Sequence, residues 1–290
     1  MPFDFMPDPY GPNFTPENMP TSLDFDPVFE PTKVEGKKYV INSETDEYLA
    51  VVGDSFTCAS HRDFFSGVKR VVTENLTPYE CEGMITSWSI AHKNAWAMMN
   101  MTLPKVTAKI ISDRHETNIA QRIIALHGID GSCSNQVYFG AIDFFCTNGM
   151  IRGEHDKVRR KNTSNFTMQR FETSLSESTQ SFYEQSETLK SWAKKRLYMY
   201  EVRQALEKLI KSERKVDKML NLYSQESTVR GQNAWALYSA FTNYASYADE
   251  HNGFSLKESK ADSAAVSMFS REHEVSKWID SNTFKELVAA

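Results

Sequence analysis

"HGIDGSCSNQVYFGAIDFFCTNGMIRGEHDKVRRKN", His127 to Asn162, holds two turn signals around one apolar run. Asp130-Gly131 opens it and Asn148-Gly149 closes it. Glycine tolerates φ > 0, so Asp-Gly and Asn-Gly pairs mark tight connections between strands. Between them "NQVYFGAIDFFC", Asn135 to Cys146, is too apolar and aromatic for a surface loop. It reads as a central strand of an antiparallel sheet. The stretch ends in Lys157, Arg159, Arg160 and Lys161, a knot of positive charge directly after the sheet.

Upstream, "KKYVINSETDEYLAVVGD" reads as two short strands joined at "SETDE". Phe64, Phe65, Val68, Val71, Val72 and Leu76 recur at helical spacing and predict a helix over about 61–75. "MITSWSIAHKNAWAMMNMTLPKVTAKIIS" alternates well enough for two or three strands, the last around Val106–Ile111. "DRHETNIAQRIIALHG" suits either a strand or a helical turn followed by a strand. Downstream, residues from about Phe171 to Gln225 read as a long helical part. Its apolar stripe is Phe182, Leu189, Trp192, Met199, Val202, Leu206, Leu209, Val216 and Leu220. The opposite face carries Lys194, Lys195, Arg203, Lys208, Lys211, Arg214, Lys215 and Lys218. "VRGQNAWALYSAFTNYASYADEH" and "REHEVSKWIDSNTFKELVAA" read as further helices.

The expected class is therefore α+β: an antiparallel sheet packed with long helices and preceded by an extended Pro-rich N-terminal arm. Residues 1–31 hold eight of the ten prolines, six acidic residues and no Lys or Arg, together with Phe3, Phe5, Tyr10, Phe14, Phe25 and Phe29. Repeated proline disfavours helix and sheet interiors. The expected layout is an acidic arm over 1–36, a main α+β domain over 37–251 and a C-terminal helical extension over 252–290. The aromatic rings of the arm suit packing on the body or on a second copy. Its acidity also suits competition for a basic groove.

Three pieces in order resemble a known family. "HGIDGSCSNQ…IDFFCTNGM" is similar to the middle of the phage- and plasmid-borne family called domain of unknown function 932. That family pairs a His-Asp-Gly-Ser-type turn with a strand ending in Cys-x-Asn. The matching residues are His127, Asp130, Gly131, Ser132, Cys146 and Asn148. Here Gly128 and Ile129 separate the His from the Asp, a departure from the tighter family spacing. "YLAVVGDSFTCASHRDFF" resembles the family's early strand-and-helix unit, and "GQNAWALYSAFTNYASY" its late helix. The match spans about 37 to 251. It implies a phage or mobile-element origin and brings no established activity.

The charge distribution suggests a function class. The chain carries a net charge of −5, yet Arg152 to Lys218 contains sixteen Lys/Arg against ten Asp/Glu. Lys and Arg near phosphates release counterions and supply sequence-independent affinity. The leading expectation is a non-catalytic binder or annealer of single-stranded nucleic acid, DNA by preference, in phage replication or recombination. Lys157, Arg159, Arg160 and Lys161 would hold phosphates, with Lys194, Lys195 and Arg196 extending the track if the long helix borders it. Strands followed by a long helix are also the arrangement of phage single-strand annealing proteins, a fold-level analogy. The alternative is an assembly or host-interaction protein, with the arm joining copies into a homo-oligomer. A metal-dependent nuclease is third, with His127, Asp130, Asp143, His155 and Asp156 as its candidate ligands.

No HExxH, P-loop, GxSxG or Rossmann fingerprint occurs, so no cofactor and no catalytic set is expected. Cys58, Cys81, Cys133 and Cys146 lack CxxC spacing and are expected to be buried thiols. No signal peptide and no membrane span is expected, which places the chain in a cytoplasm, the host's if it is phage-encoded.

Overall fold

The computed structural model describes residues 13–14, 19–143, 149–151, 157–160, 182–247 and 261–289. Its strands are β1 (Asn13–Phe14), β2 (Pro27–Pro31), β3 (Lys37–Asn42), β4 (Tyr48–Gly53), β5 (Ile85–Ala91), β6 (Trp96–Ile111), β7 (Glu116–Gly128), β8 (Asn135–Asp143), β9 (Gly149–Ile151) and β10 (Lys157–Arg160). Its helices are α1 (His61–Asn75), α2 (Pro78–Cys81), α3 (Phe182–Lys194), α4 (Met199–Leu209), α5 (Glu213–Arg230), α6 (Ala234–Tyr247), α7 (Ala261–Asp280) and α8 (Asn282–Ala289). The fold is α+β. Seven strands form an antiparallel sheet in the order β1-β5-β6-β7-β8-β10, with β9 also paired to β8. β2, β3 and β4 form a second, three-stranded antiparallel sheet.

The β6–β7 hairpin is the axis of the large sheet. From Trp96 to Met101 every β6 residue is buried, so both faces are covered there. Beyond Leu103 burial alternates: Val106, Ala108 and Ile110 are inside while Lys105, Thr107, Lys109 and Ile111 are outside. One face of the hairpin end therefore meets water. Pro104 sits where the register slips, between the pairs Leu103–Gln121 and Thr107–Ala120. Proline has no N–H to donate, and a bulge is where a long strand tolerates it. The two or three strands read from this segment are β5 and one continuous, bulged β6. The ambiguous "DRHETNIAQRIIALHG" is the single strand β7.

α1 follows the predicted stripe. Ser60 caps it by accepting the Asp63 N–H at 3.1 Å, and Phe64, Phe65, Val68, Val71 and Val72 are buried. They share one core with Trp88, Met99, Ala125 and Phe139 of the sheet.

The long helical part is three helices, not one. Its residues 171–181 lie outside the described set. The chain breaks before Met199, where the Glu201 carboxylate accepts the Tyr198 N–H at 2.8 Å, and before Glu213, where the Ser212 hydroxyl accepts the Lys215 N–H at 3.4 Å. Each cap is a side chain that satisfies an N–H a new helix leaves open, so the apolar period survives while the axis changes direction. Nor is the basic face simply solvated. Lys215 pairs with Glu274 at 2.7 Å, and Arg203 with Asp217 at 3.2 Å. Among the described residues, the helical run that carried the analogy to annealing proteins is divided at these two caps.

Segments beyond the expected boundaries at 36 and 251 take part in the main sheet-and-helix packing. Pro27–Pro31, read as arm, pairs with Lys38–Asn42 as an edge strand. Its two prolines stand at the strand ends, where edge strands accept them. Leu23 and Phe25 are buried, and Arg62 of α1 holds Asp24 and Asp26. At the other end, Val275, Trp278, Ile279 and Phe284 lie in the main core. The Phe284 ring meets Trp192 edge-on at 5.3 Å, and Trp278 meets Phe241 at 5.4 Å. Burying these rings removes far more apolar surface from water than an independent terminal helix would. Of the remaining arm, residues 1–12 and 15–18 lie outside the described set.

A buried ion pair joins the sheet to α7. Arg122 of β7 and Glu272 have side chains 0% and 3% exposed, with Nη1 3.4 Å from Oε1. Arg122 Nε also donates to Asn100 at 2.9 Å, and Asn100 donates to Ser87 at 3.3 Å. Breaking such a pair leaves a charge buried without its counter-charge. Arg122→Met alone and Glu272→Leu alone are each expected to cost about 3–5 kcal/mol in urea unfolding, with the double replacement costing less than the sum of the two.

Candidate functional site

The family-like turn lies at one end of the sheet, and Lys194 and Arg196 of the predicted cations lie at the other. At the first end His127 is fully buried, stacked on Phe64 with centroids 4.5 Å apart and 10° between planes. Its Nδ1 lies 2.9 Å from Nδ1 of His61, and His61 Nε2 lies 2.9 Å from the Asn94 carbonyl. A carbonyl only accepts, so His61 donates from Nε2 and its Nδ1 receives the His127 proton. His127 Nε2 is left buried with no hydrogen-bond partner. Burial pushes His61 down to about 4, and burial with the neighbouring His61 holds His127 well below the usual histidine range. Both rings are neutral around pH 7.

Asp130 builds the turn that follows. One carboxylate oxygen accepts the Ser132 N–H at 2.9 Å and the Ser132 hydroxyl at 2.6 Å; the other accepts from His92 at 2.8 Å. Gly131 adopts φ +76°, which a side chain would oppose. The residues that depart from the family spacing also have work here. A Cβ on Gly128 would lie 2.7 Å from the Cys133 sulfur. Ile129 is buried with Phe25 and Ala95, and its N–H donates to the Ala95 carbonyl at 2.8 Å. His127, Asp130, Gly131 and Ser132 thus organise a hairpin. Cys146 and Asn148 lie outside the described residues.

The opposite end holds a cleft of about 170 Å³. Its walls include Asp113 and Arg114 from the β6–β7 turn, Lys194 and Arg196 from the end of α3, and Gly231 and Asn233 from the α5–α6 junction. The lining thus includes three cationic residues and one acidic residue. The floor is tied by backbone bonds from Ala234 N–H to the Lys195 carbonyl at 2.8 Å and from Leu197 N–H to the Gln232 carbonyl at 3.0 Å. Asn233 caps α6 by accepting the Ala236 N–H at 2.9 Å, so the positive end of a helix dipole borders the cleft. Clefts for small organic ligands run about 300–1,000 Å³. This one suits a phosphate-sized anion.

Among the predicted contacts, Lys194 and Arg196 line the cleft, whereas Lys195 is half-buried and contributes its carbonyl to the floor. Lys157, Arg159 and Arg160 lie on β10, in register with Tyr138, Gln136 and Asn135; Lys161 lies outside the described residues. Tyr138 pairs with Ile124 of β7, ten residues from Arg114. At about 3.4 Å per residue the two cationic groups stand roughly 30 Å apart along the sheet. They do not form one adjoining track, because α3 ends at the β6–β7 turn.

Of the candidate metal ligands, His127 and Asp130 are used as above, Asp143 ends β8, and His155 and Asp156 lie outside the described residues. Among the described residues no three His, Cys, Asp or Glu side chains are grouped to hold a metal ion. Cys58, Cys81 and Cys133 form no disulfide and are partly buried. Burial pushes the Cys58 thiol up to about 12, away from the thiolate a nucleophile needs. Among the described residues no helix is long and apolar enough to cross a membrane.

Domain of unknown function (DUF932) matches residues 48–273, more than half of the chain. The chain belongs to this family. No curated protein and no solved structure matches it. The DUF932 match starts inside the small sheet and ends in α7, so it takes in both the hairpin node and the cleft. Sequence reading missed His61, Arg114 and Asn233. Each joins its partners only through the sheet or the α5–α6 junction, and nothing local marks it.

The histidine pair sets a pH dependence. Each ring has a folded pKa below its unfolded value of 6.5. The unfolded chain therefore binds more protons as pH falls, and the stability present above pH 6.5 is lost progressively toward about 4. Urea midpoints between pH 7 and 4.5 are expected to fall more steeply for the wild type than for His127→Phe, which removes one of the two rings.

Proposed function

We propose that this DUF932 protein binds single-stranded nucleic acid, DNA in the first place, in the replication or recombination of a phage or other mobile element, without catalysing a reaction on it. The observation that carries this reading is that Arg114, Lys194 and Arg196 all line one cleft beside the N-terminal end of α6. Arginine forks and helix N-termini both favour phosphate oxygens. The cleft is too small for a drug-sized substrate. Lys157, Arg159 and Arg160 on β10, the outer strand of the sheet, supply a second cationic segment. A flexible single strand can reach both segments across about 30 Å, whereas a compact ligand cannot. The chain's net charge of −5 suits local rather than bulk attraction. Among the described residues no grouped ligand set supports the nuclease alternative.

Fluorescence anisotropy with a labelled 30-nucleotide strand tests the proposal. Affinity is expected to fall steeply with salt. Arg114→Ala/Lys194→Ala/Arg196→Ala removes the cations of one phosphate site, so affinity is expected to fall and the log–log salt slope to flatten by about 0.7. Lys157→Ala/Arg159→Ala/Arg160→Ala is expected to act separately and similarly. A folded wild-type protein that binds no strand at low salt would defeat the reading.

A further inference from the structure

Directly after the cleft the chain exposes three large side chains in a row: Tyr198, Met199 and Tyr200, at 45%, 40% and 62%. The inner face of α4 is already supplied by Val202, Ala205 and Leu206. Tyr198 stands at the N-cap of α4, a position that Ser, Thr, Asp or Asn serves better. The capping there comes instead from Glu201, which accepts the Tyr198 backbone N–H. Neither ring is needed for the helix or for the core.

Their arrangement is ordered. The Tyr198 and Tyr200 rings are 15° from parallel with centroids 6.0 Å apart. The Arg196 guanidinium lies 5.0 Å from the Tyr198 centroid. Arg196 is also a wall of the cleft. Guanidinium, ring and ring thus form one series that starts at the cation site and ends on the more exposed of the two tyrosines. Stacked aromatics beside cations are the pairing that single strands require, because every base offers a π-face and every linkage a charge. A protein partner would also accept tyrosines, but it would not call for the three cations next to them.

We propose that Arg196, Tyr198 and Tyr200 form a base-stacking platform, on which a nucleobase lies against the exposed Tyr200 ring while the adjoining backbone phosphate occupies the cleft of Arg114 and Lys194. This rests on the nucleic-acid reading above and adds to it a contact with the bases themselves. Because stacking is largely indifferent to base identity, the platform binds without sequence preference.

The test compares a labelled mixed-sequence 30-nucleotide strand with an abasic phosphodiester strand of equal length, at two salt concentrations. Wild type is expected to prefer the base-bearing strand. Tyr198→Ala/Tyr200→Ala should weaken that strand about tenfold, leave the abasic strand unchanged and keep the salt slope. Tyr198→Phe/Tyr200→Phe should retain wild-type affinity, since the ring and not the hydroxyl acts. Lys194→Ala/Arg196→Ala should weaken both strands. Circular dichroism checks that each variant is folded. If the alanine pair weakens both strands equally, or neither, the platform is overturned while the nucleic-acid reading stands. If wild type binds neither strand, both fall together.

Discussion

The Arg122–Glu272 pair is the constraint on which the rest of the structure depends. A guanidinium at the centre of a sheet cannot stay buried without a counter-charge, because desolvation of the bare ion costs several kcal/mol. Its counter-charge comes from α7, 150 residues later. Burial pushes the Glu272 carboxyl up, while the charge and hydrogen bond of Arg122 pull it down. Asn100 and Ser87 extend the polar line across β6 and β5, so the pair also ties three strands to one helix. An apolar pair would pack as well. A buried charge pair additionally penalises any register that separates its members.

Holding α7 in this place has consequences at a distance. Trp278 and Phe284 can then reach Phe241 and Trp192, which seats α3 and α6 beside the hairpin end. The cleft forms where these elements finish: a β-turn, a helix C-terminus and a helix junction. None of the three would be a site alone. Its floor is backbone bonded to backbone, as at Lys195–Ala234, so the cationic side chains stand on fixed supports. Rigid placement lets long side chains act with little ordering cost on binding.

The hairpin node shows the opposite use of chemically versatile residues. His61, His127, Asp130 and Ser132 would attract attention in any search for a reaction centre. Here their hydrogen bonds are spent largely on one another and on the backbone. The β5–β6 turn beside them passes through His92, Lys93 and Asn94, all at positive φ. Such a run persists only where neighbours over-determine it. His92 donating to Asp130, and Asn94 accepting from His61, provide that hold.

Much of the secondary structure was legible in the chain itself. The α1 stripe, the paired strands around "SETDE" and the Asp130-Gly131 turn are written in residues a few positions apart, where periodicity and turn chemistry act. The sequence also marked Lys194 and Arg196 as part of a basic region and Trp192 as core. It could not show that the helical run bends at Tyr198 and Ser212, because caps interrupt the axis without interrupting the apolar period. Nor could it show that Pro27–Pro31 and the last helices belong to the main body. Arg114 joins Lys194, and Arg122 joins Glu272, across 80 and 150 residues. Local pattern determined which segments would be strand or helix. Only the tertiary structure decided which charges would meet, because that depends on how buried surfaces stack and leaves no mark in either neighbourhood.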